Sequence, residues 1–212
     1  MRLLIASTVT LAMVALGACK NPNANVAPAA TSAATAPAPA PAASASEHLA
    51  LDAAASRVGF TGAKVTGSHE GSFSGVTGAI DLDPARVEQS RVSVTVDTTT
   101  VTTDTERLTG HLKSPDFFDV ARFPQATFVS TQIVPGGAQG ATHTITGNLS
   151  LHGVTRAVTF PATVTVSPAS VSATAEFSIN RRDFGIVYAG MPDNLIRDEV
   201  AMHLRLVAPR GR

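Results

Sequence analysis

The chain holds six histidines, one cysteine and no tryptophan, and the spacing of these groups limits the chemistry open to it. His48, His69, His111, His143, His152 and His203 fall in no H-x-H or H-E-x-x-H pattern, so no local run brings two imidazoles to one metal ion. His69 and Glu70 are adjacent; on a strand, neighbours point to opposite faces, which makes them poor partners for general acid–base work. There is no G-x-S-x-G elbow to hold a nucleophile. No catalytic residue, metal or cofactor is expected, and the chain reads as a non-enzyme.

Cys19 is the exception, and its chemistry is processing. It closes Leu16-Gly17-Ala18-Cys19, after Arg2 and the apolar run LLIASTVTLAMVALGA. That run is short for a bilayer span and flanked as an export signal is. The end of it resembles a bacterial lipobox, which implies that residues 1–18 are a signal peptide and that Cys19 is acylated. At about 0.8 kcal/mol per buried methylene, two or more acyl chains hold a protein stably on a membrane. With its one thiol used, the mature chain has no internal disulfide. Lys20 in place of aspartate favours the outer membrane by the enteric sorting rule, so the expected location is the bacterial envelope, facing the periplasm or the cell surface.

Residues 19–46 continue as NPNANVAPAATSAATAPAPAPAASAS after Lys20, without charge. Proline interrupts any helix that the alanines start, and the Ala-Pro alternation favours an extended tether. This segment is expected to be a disordered spacer that holds the folded part some tens of Å from the membrane, at about 3 Å per residue.

Residues 47–212 are one domain's worth of chain. Sixteen acidic residues stand against the 14 basic ones left of 16 once Arg2 and Lys20 are set aside. No basic stripe recommends nucleic acid as a partner. The hydrophobic period is almost everywhere two: Val92, Val94 and Val96 alternate with Ser93, Thr95 and Asp97, and Val171, Ala173, Ala175, Phe177 and Ile179 with Ser, Thr and Glu. Such strands have one wet face and belong to an antiparallel sheet. Eight are expected, near 57–66, 70–82, 91–98, 125–134, 142–151, 154–167, 171–180 and 198–208. One short helix is expected near 104–113, capped by Asp104, with Leu108 and Leu112 as an i, i+4 pair and Ser114-Pro115 as its stop. Eight strands and one helix make an all-β, antiparallel, up-and-down barrel, whose interior is filled by side chains or holds one small ligand. The small inward candidates Gly62, Gly75, Gly147, Ala162, Ala173 and Ala175 leave space inside.

Aromatic residues gather in one place. His111 to Phe128 carries four of the nine phenylalanines, which either pack the helix on the barrel or line something apolar. His111 stands beside them, able to hydrogen-bond a ligand oxygen or the carbonyls of the helix end. Arg181-Arg182-Asp183 reads as a turn clamp, with Arg182 also a candidate for an anionic head group.

These blocks resemble the YceI-like family, lipocalin-like periplasmic proteins that bind polyisoprenoid or other long-chain lipids. The resemblance rests on Ser56-Arg57-Val58-Gly59-Phe60, Gly71-Ser72-Phe73, His111 to Val120, Phe123-Pro124-Gln125-Ala126-Thr127-Phe128, Thr146 to Thr155, and Ile179 to Gly185. Ala55 and Leu108 depart from it, where the family has histidine and aspartate. The resemblance implies a lipocalin-like barrel around a tunnel holding an isoprenoid (quinone-like or polyprenyl) or fatty-chain ligand, and a homodimer as one available assembly. The implied tunnel lining is Phe60, Phe73, Leu108, His111, Leu112, Phe117, Phe118, Phe123, Phe128, Phe177 and Phe184, with His111 and Arg182 at the head group. The implied role is a membrane-tethered lipid carrier or reservoir; the competing reading is a closed-core envelope interaction module with no lipid.

Overall fold

The structure, a computed structural model, describes residues 23–36, 46–192 and 194–211. The expected signal peptide and the acylation site Cys19 lie outside the described residues. The strands are β1 (Ala30–Ala33), β2 (Glu47–Ala50), β3 (Arg57–Lys64), β4 (Gly67–Phe73), β5 (Val76–Leu82), β6 (Arg91–Asp97), β7 (Val101–Thr103), β8 (Gln125–Pro135), β9 (His143–Leu151), β10 (Val154–Val166), β11 (Ser170–Asn180), β12 (Gly190–Met191), β13 (Asn194–Leu195) and β14 (Glu199–Pro209). The α-helix, α1, is Glu106–Leu112. The main sheet runs β2-β5-β6-β8-β9-β10-β11-β14-β3-β4-β7, and all its ladders are antiparallel. It is the expected antiparallel barrel with one short helix, though with more strands than eight.

The sheet rolls up because one expected strand, 70–82, is two. At Ser74-Gly75 the chain turns from β4, near one edge of the sheet, into β5, near the other. Gly75 allows the turn: a Cβ there would stand 2.7 Å from Asp97 Cβ, and the Asp97 amide donates to its carbonyl at 2.8 Å. After β2, Leu51 N donates to Gly78 O (2.9 Å) and Asp52 N to Val207 O (2.8 Å), which stitches β5 to β14 across the seam. The β9–β10 hairpin turns on His152 and Gly153, with φ of 52° and 75°. Two left-handed residues match the twist of the flanking strands.

Two differences from the sequence expectation bear on function. Asp104 does not cap α1; it pairs with His69 Nδ1 at 2.9 Å, and Thr105 takes the cap position without a side-chain bond. More consequential is the Ala/Pro segment. Residues 23–36, expected to be disordered spacer, lie along the barrel. The N-terminal half of β10 pairs with β9 and its C-terminal half with β11, so β10 and β11 part company toward Val154 and Asn180. β1 fills that parting, pairing antiparallel with Arg156–Thr159, while Ala29 N donates to Ser178 O and Ser178 N to Ala27 O at 2.8 and 2.9 Å. Ala29 packs on the core there, and Asn148 Nδ2 reaches Thr35 O at 2.6 Å. Unpaired amides and carbonyls in the parting are a stronger pull than the weak β-propensity of an alanine-rich segment; composition alone does not reveal such a partner.

Candidate functional site

The interior carries two apolar clusters. One gathers Phe60, Phe73, Val76, Leu82, Leu112 and Phe117; the other Ile133, Ile145, Phe160, Phe177, Ile179 and Phe184. Partly buried Phe128, Leu151, Met202 and Leu204 touch both. Phe60 faces inward on β3, and its ring lies where a side chain on Gly71 would stand, 2.2 Å from the ring's tip. Phe73 meets it at 5.7 Å, and Phe118 meets both edge-on at 6.3 and 5.5 Å. Across the barrel Phe160 and Phe177 stack at 4.1 Å, and Phe128 tilts onto Phe160 at 5.6 Å. Aromatic pairs of this geometry hold one another in place beyond their burial.

A cavity of about 540 Å³ runs between the clusters, within the usual size of a pocket for one small ligand. Its wall is almost wholly apolar: Val58, Ile80, Val92, Val94, Leu149, Leu151, Val158, Met202 and Leu204, with the aromatic residues above. Of the small inward candidates, Gly62, Ala162, Ala173 and Ala175 line it. Gly147 and Gly75 do not, because the Phe128 ring fills the space over Gly147 and Gly75 sits in the seam turn.

The expected lining is present at Phe60, Phe73, Leu108, His111, Leu112, Phe117, Phe118, Phe128 and Phe177. Phe123, Phe184 and Arg182 lie off the wall. The chain leaves the barrel end through a left-handed Asp119, so Phe123 faces His152 (5.1 Å) with the Arg122 guanidinium over its ring. Phe184 closes a turn of 3-10 helix at Arg181–Phe184 and is fully buried in the second cluster. Arg182 is exposed and donates to Asp198 Oδ1 at 2.8 Å.

Arg181, not Arg182, works inside. It is 4% exposed and donates to Arg197 O (3.1 Å), Ile186 O (2.7 Å), Ile196 O (3.4 Å) and Asp198 Oδ1 (3.0 Å). One planar fork thus fixes the irregular segment that forms the lip of the cavity. Burial pulls its pKa below the ordinary value, Asp198 opposes this, and Arg182 adds to it; a guanidinium stays charged all the same.

Besides Arg181 and the wall threonines Thr98, Thr127 and Thr174, the polar lining residues gather toward the open end. His111 Nε2 shares a hydrogen bond with Asp116 at 2.9 Å, so the imidazole is engaged by a carboxylate rather than by the carbonyls of the helix end. Its ring packs edge-on against Phe117 (5.0 Å) and Tyr188 (5.1 Å). Lys64, His69, Arg107 and Asn194 complete the mouth. Arg107 and Lys64 escaped the sequence reading, although Arg107 is four residues before His111 on the helix and Lys64 continues the inward alternation of Phe60 and Gly62. Tyr188, Ile186 and Ile196 also went unread, because the segment around them has no period. Among the described residues no three His, Cys, Asp or Glu side chains gather as a metal site.

The family profile of the YceI-like domain matches residues 49–208. A UPF0312 protein of Pseudomonas putida (strain W619) is 33% identical over 148 residues, spanning 66% of this chain and 72% of its own. Among solved structures, BcnA of Burkholderia cenocepacia superposes with a TM-score of 0.66 at 29% identity, over 74% of this chain and 99% of that one. A polyisoprenoid binding domain from Saccharophagus degradans, implicated in plant cell wall breakdown, superposes at 0.61 with 17% identity, over 77% and 98%. At that identity the likeness speaks for the fold.

Proposed function

The chain belongs to the YceI-like family, and from that membership and the cavity we propose that it is a lipid-binding protein of the bacterial envelope. It holds one isoprenoid, quinone-like or polyprenyl, or a fatty chain in the barrel, as carrier or reservoir, and acylated Cys19 ties it to a membrane. It is a binding protein and not an enzyme.

The observation that carries the reading is a 540 Å³ cavity with a predominantly apolar wall, interrupted by Thr98, Thr127, Thr174 and Arg181, and with Lys64, His69, Arg107, His111 and Asn194 near its mouth. A five-carbon isoprene unit leaving water is worth about 4 kcal/mol gross, at about 0.8 kcal/mol per carbon. A few units outweigh association costs on the order of 4–15 kcal/mol. Such a site selects for the tail and is permissive about the head, which meets Lys64, His69, Arg107, His111 and Asn194. A polyisoprenoid binding domain with the same fold adds support. The closed-core alternative calls for a filled interior, and the cavity argues against it.

The test is mass spectrometry of an organic extract of the protein purified from its own envelope. A stoichiometric lipid is expected, lost in an Ala175→Phe variant that fills the cavity. An empty extract, with no thermal protection by added quinone or polyprenol, overturns the reading.

A further inference from the structure

Five large apolar side chains are exposed among the described residues: Val65, Val134, Val187, Met191 and Leu195. Four of them share one end of the barrel. Val65 begins the turn between β3 and β4, Val187 follows buried Ile186, and Met191 and Leu195 lie on the paired β12 and β13. The backbone ties them together: Val65 N donates to Leu195 O at 3.1 Å, and Thr66 Oγ1 to Asn194 Oδ1 at 3.0 Å. Met191 and Asn194 also form the lip of the cavity. Single exposed apolar residues are ordinary, but four on the rim of an apolar tunnel mark an interaction surface.

The N-terminal segment indicates what covers it. Asn23 is 6% exposed, and its Nδ2 donates to Thr61 O and Glu199 O at 3.2 and 3.3 Å. Thr61 is three residues before Lys64, roughly 10 Å along the strand from the mouth. Acylated Cys19 is joined to the barrel through that point. Cys19 precedes Asn23 by four residues, a reach of at most about 14 Å. The acyl anchor is thereby leashed to the mouth end.

We propose that the rim of Val65, Val187, Met191 and Leu195 seats in the surface of a lipid bilayer, mouth down, so that a lipid passes between bilayer and tunnel without crossing water. The proposal rests on the reading of the cavity as a lipid site. Lys64 and Arg107 at the mouth are offset by Asp104, Glu106 and Asp116. Seating therefore depends on apolar contact rather than on anionic lipid.

With no native tryptophan, single introduced ones report position. The full chain carrying Leu195→Trp, and separately Val134→Trp, is mixed with phosphatidylcholine vesicles whose acyl chains are brominated. Quenching at 195 and little at 134 is expected; equal quenching at both, or none at 195, overturns the proposal. Val65→Asp/Val187→Asp, residues outside the tunnel wall, is expected to abolish that quenching and slow transfer of a dansyl-tagged tetraprenol to vesicles by roughly tenfold, with equilibrium loading unchanged. Should the double variant fail to fold by circular dichroism, Leu195→Asp alone is measured for transfer. Intact loading with unaltered transfer sinks the rim. Loss of loading in the unvaried chain sinks the lipid site instead, while quenching still reports on the rim.

Discussion

The two ends of this barrel are made of different materials. At the far end the strands close on one another: Leu82, Leu206 and Ala208 are buried, and Arg210 donates to both the Glu47 carboxylate, through Nε at 2.8 Å, and Ser167 O at 2.8 Å. Asp83 caps the turn beyond β5, taking the amides of Ala85 and Arg86 at 3.1 and 3.0 Å. At the mouth, little regular sheet remains. A seven-residue helix, a two-residue hairpin and an irregular segment surround the opening, and Arg181 stands in for the missing ladder. One end is held by regular ladders, the other by scattered backbone bonds such as Arg197 N to Ala63 O and by one buried side chain. On the lipid-binding reading the closed end needs no flexibility, whereas the mouth has to admit the ligand.

The largest expected effect breaks the mouth. Arg181→Met leaves the carbonyls of Ile186, Ile196 and Arg197 without their donor and Asp198 with only Arg182. Losing one partner of a buried charged network costs about 3–5 kcal/mol. Denaturant unfolding is expected to register that loss together with a collapse of lipid loading. A change of under about 1 kcal/mol would mean that the segment holds itself.

Next come two chemically identical changes in different walls. Gly147→Ala drives a methyl into Phe128, 2.3 Å from the ring's tip and 2.7 Å from Val129 O. Overpacking of this kind costs about 1–3 kcal/mol. Gly62→Ala meets nothing within 4 Å and is expected to fall within about 0.5 kcal/mol of the parent. Equal destabilisation would show that the space beside Gly62 is closed in solution.

These contrasts also explain what the sequence made legible. Period-two runs located seven of the eight expected strands as single elements, because each has one face buried and a one-residue slip would turn it inside out; the eighth, 70–82, is β4 and β5, since the seam turn at Ser74-Gly75 leaves no mark on the period. Phe60, Phe73, Phe117 and Phe118 were readable as lining because they sit on those strands or beside a helix with a clear apolar stripe. Phe123 and Phe184 looked the same by type, yet both follow turns whose direction depends on backbone rather than pattern. Arg181 and Arg182 are adjacent and alike, and only the packing of residues 186–198 makes one of them buried. Residues 23–36 of the expected spacer lie on the barrel, which composition did not reveal because their partners, Arg156–Thr159 and Ser178, are over a hundred residues away.

At the closed end the expected effect is smaller and depends on pH. The hydrogen bond from Arg210 holds the Glu47 carboxyl below its ordinary 4.5, with burial opposing and the guanidinium charge helping. Burial pushes Asp83 up, but the Arg86 and Ala85 amides and the Arg86 guanidinium outweigh it and leave the carboxyl below 3.8. Groups with depressed pKa stabilise the fold fully above their unfolded values, and that contribution is lost as pH falls through the folded ones. Stability is thus expected to be level down to about pH 5 and to decline below. Glu47→Gln should be less stable at neutral pH and lose less between there and pH 3. A parallel acid profile in parent and variant would assign the decline to other carboxylates.

The smallest effect refines the mouth itself. Asp116 holds His111 by one hydrogen bond, and both side chains are substantially solvated, at 51% and 38%. Screened pairs like this contribute little to stability, about 0–1 kcal/mol. Asp116→Asn is therefore expected to unfold with the parent. Its consequence is for the head group: one negative charge leaves a rim that also carries Lys64 and Arg107. Competition between a polyprenyl phosphate and the neutral polyprenol should move about two- to fivefold toward the phosphate, the worth of one exposed charge. An unchanged ratio would mean that the head group stands clear of His111 and that selectivity lies wholly in the tail.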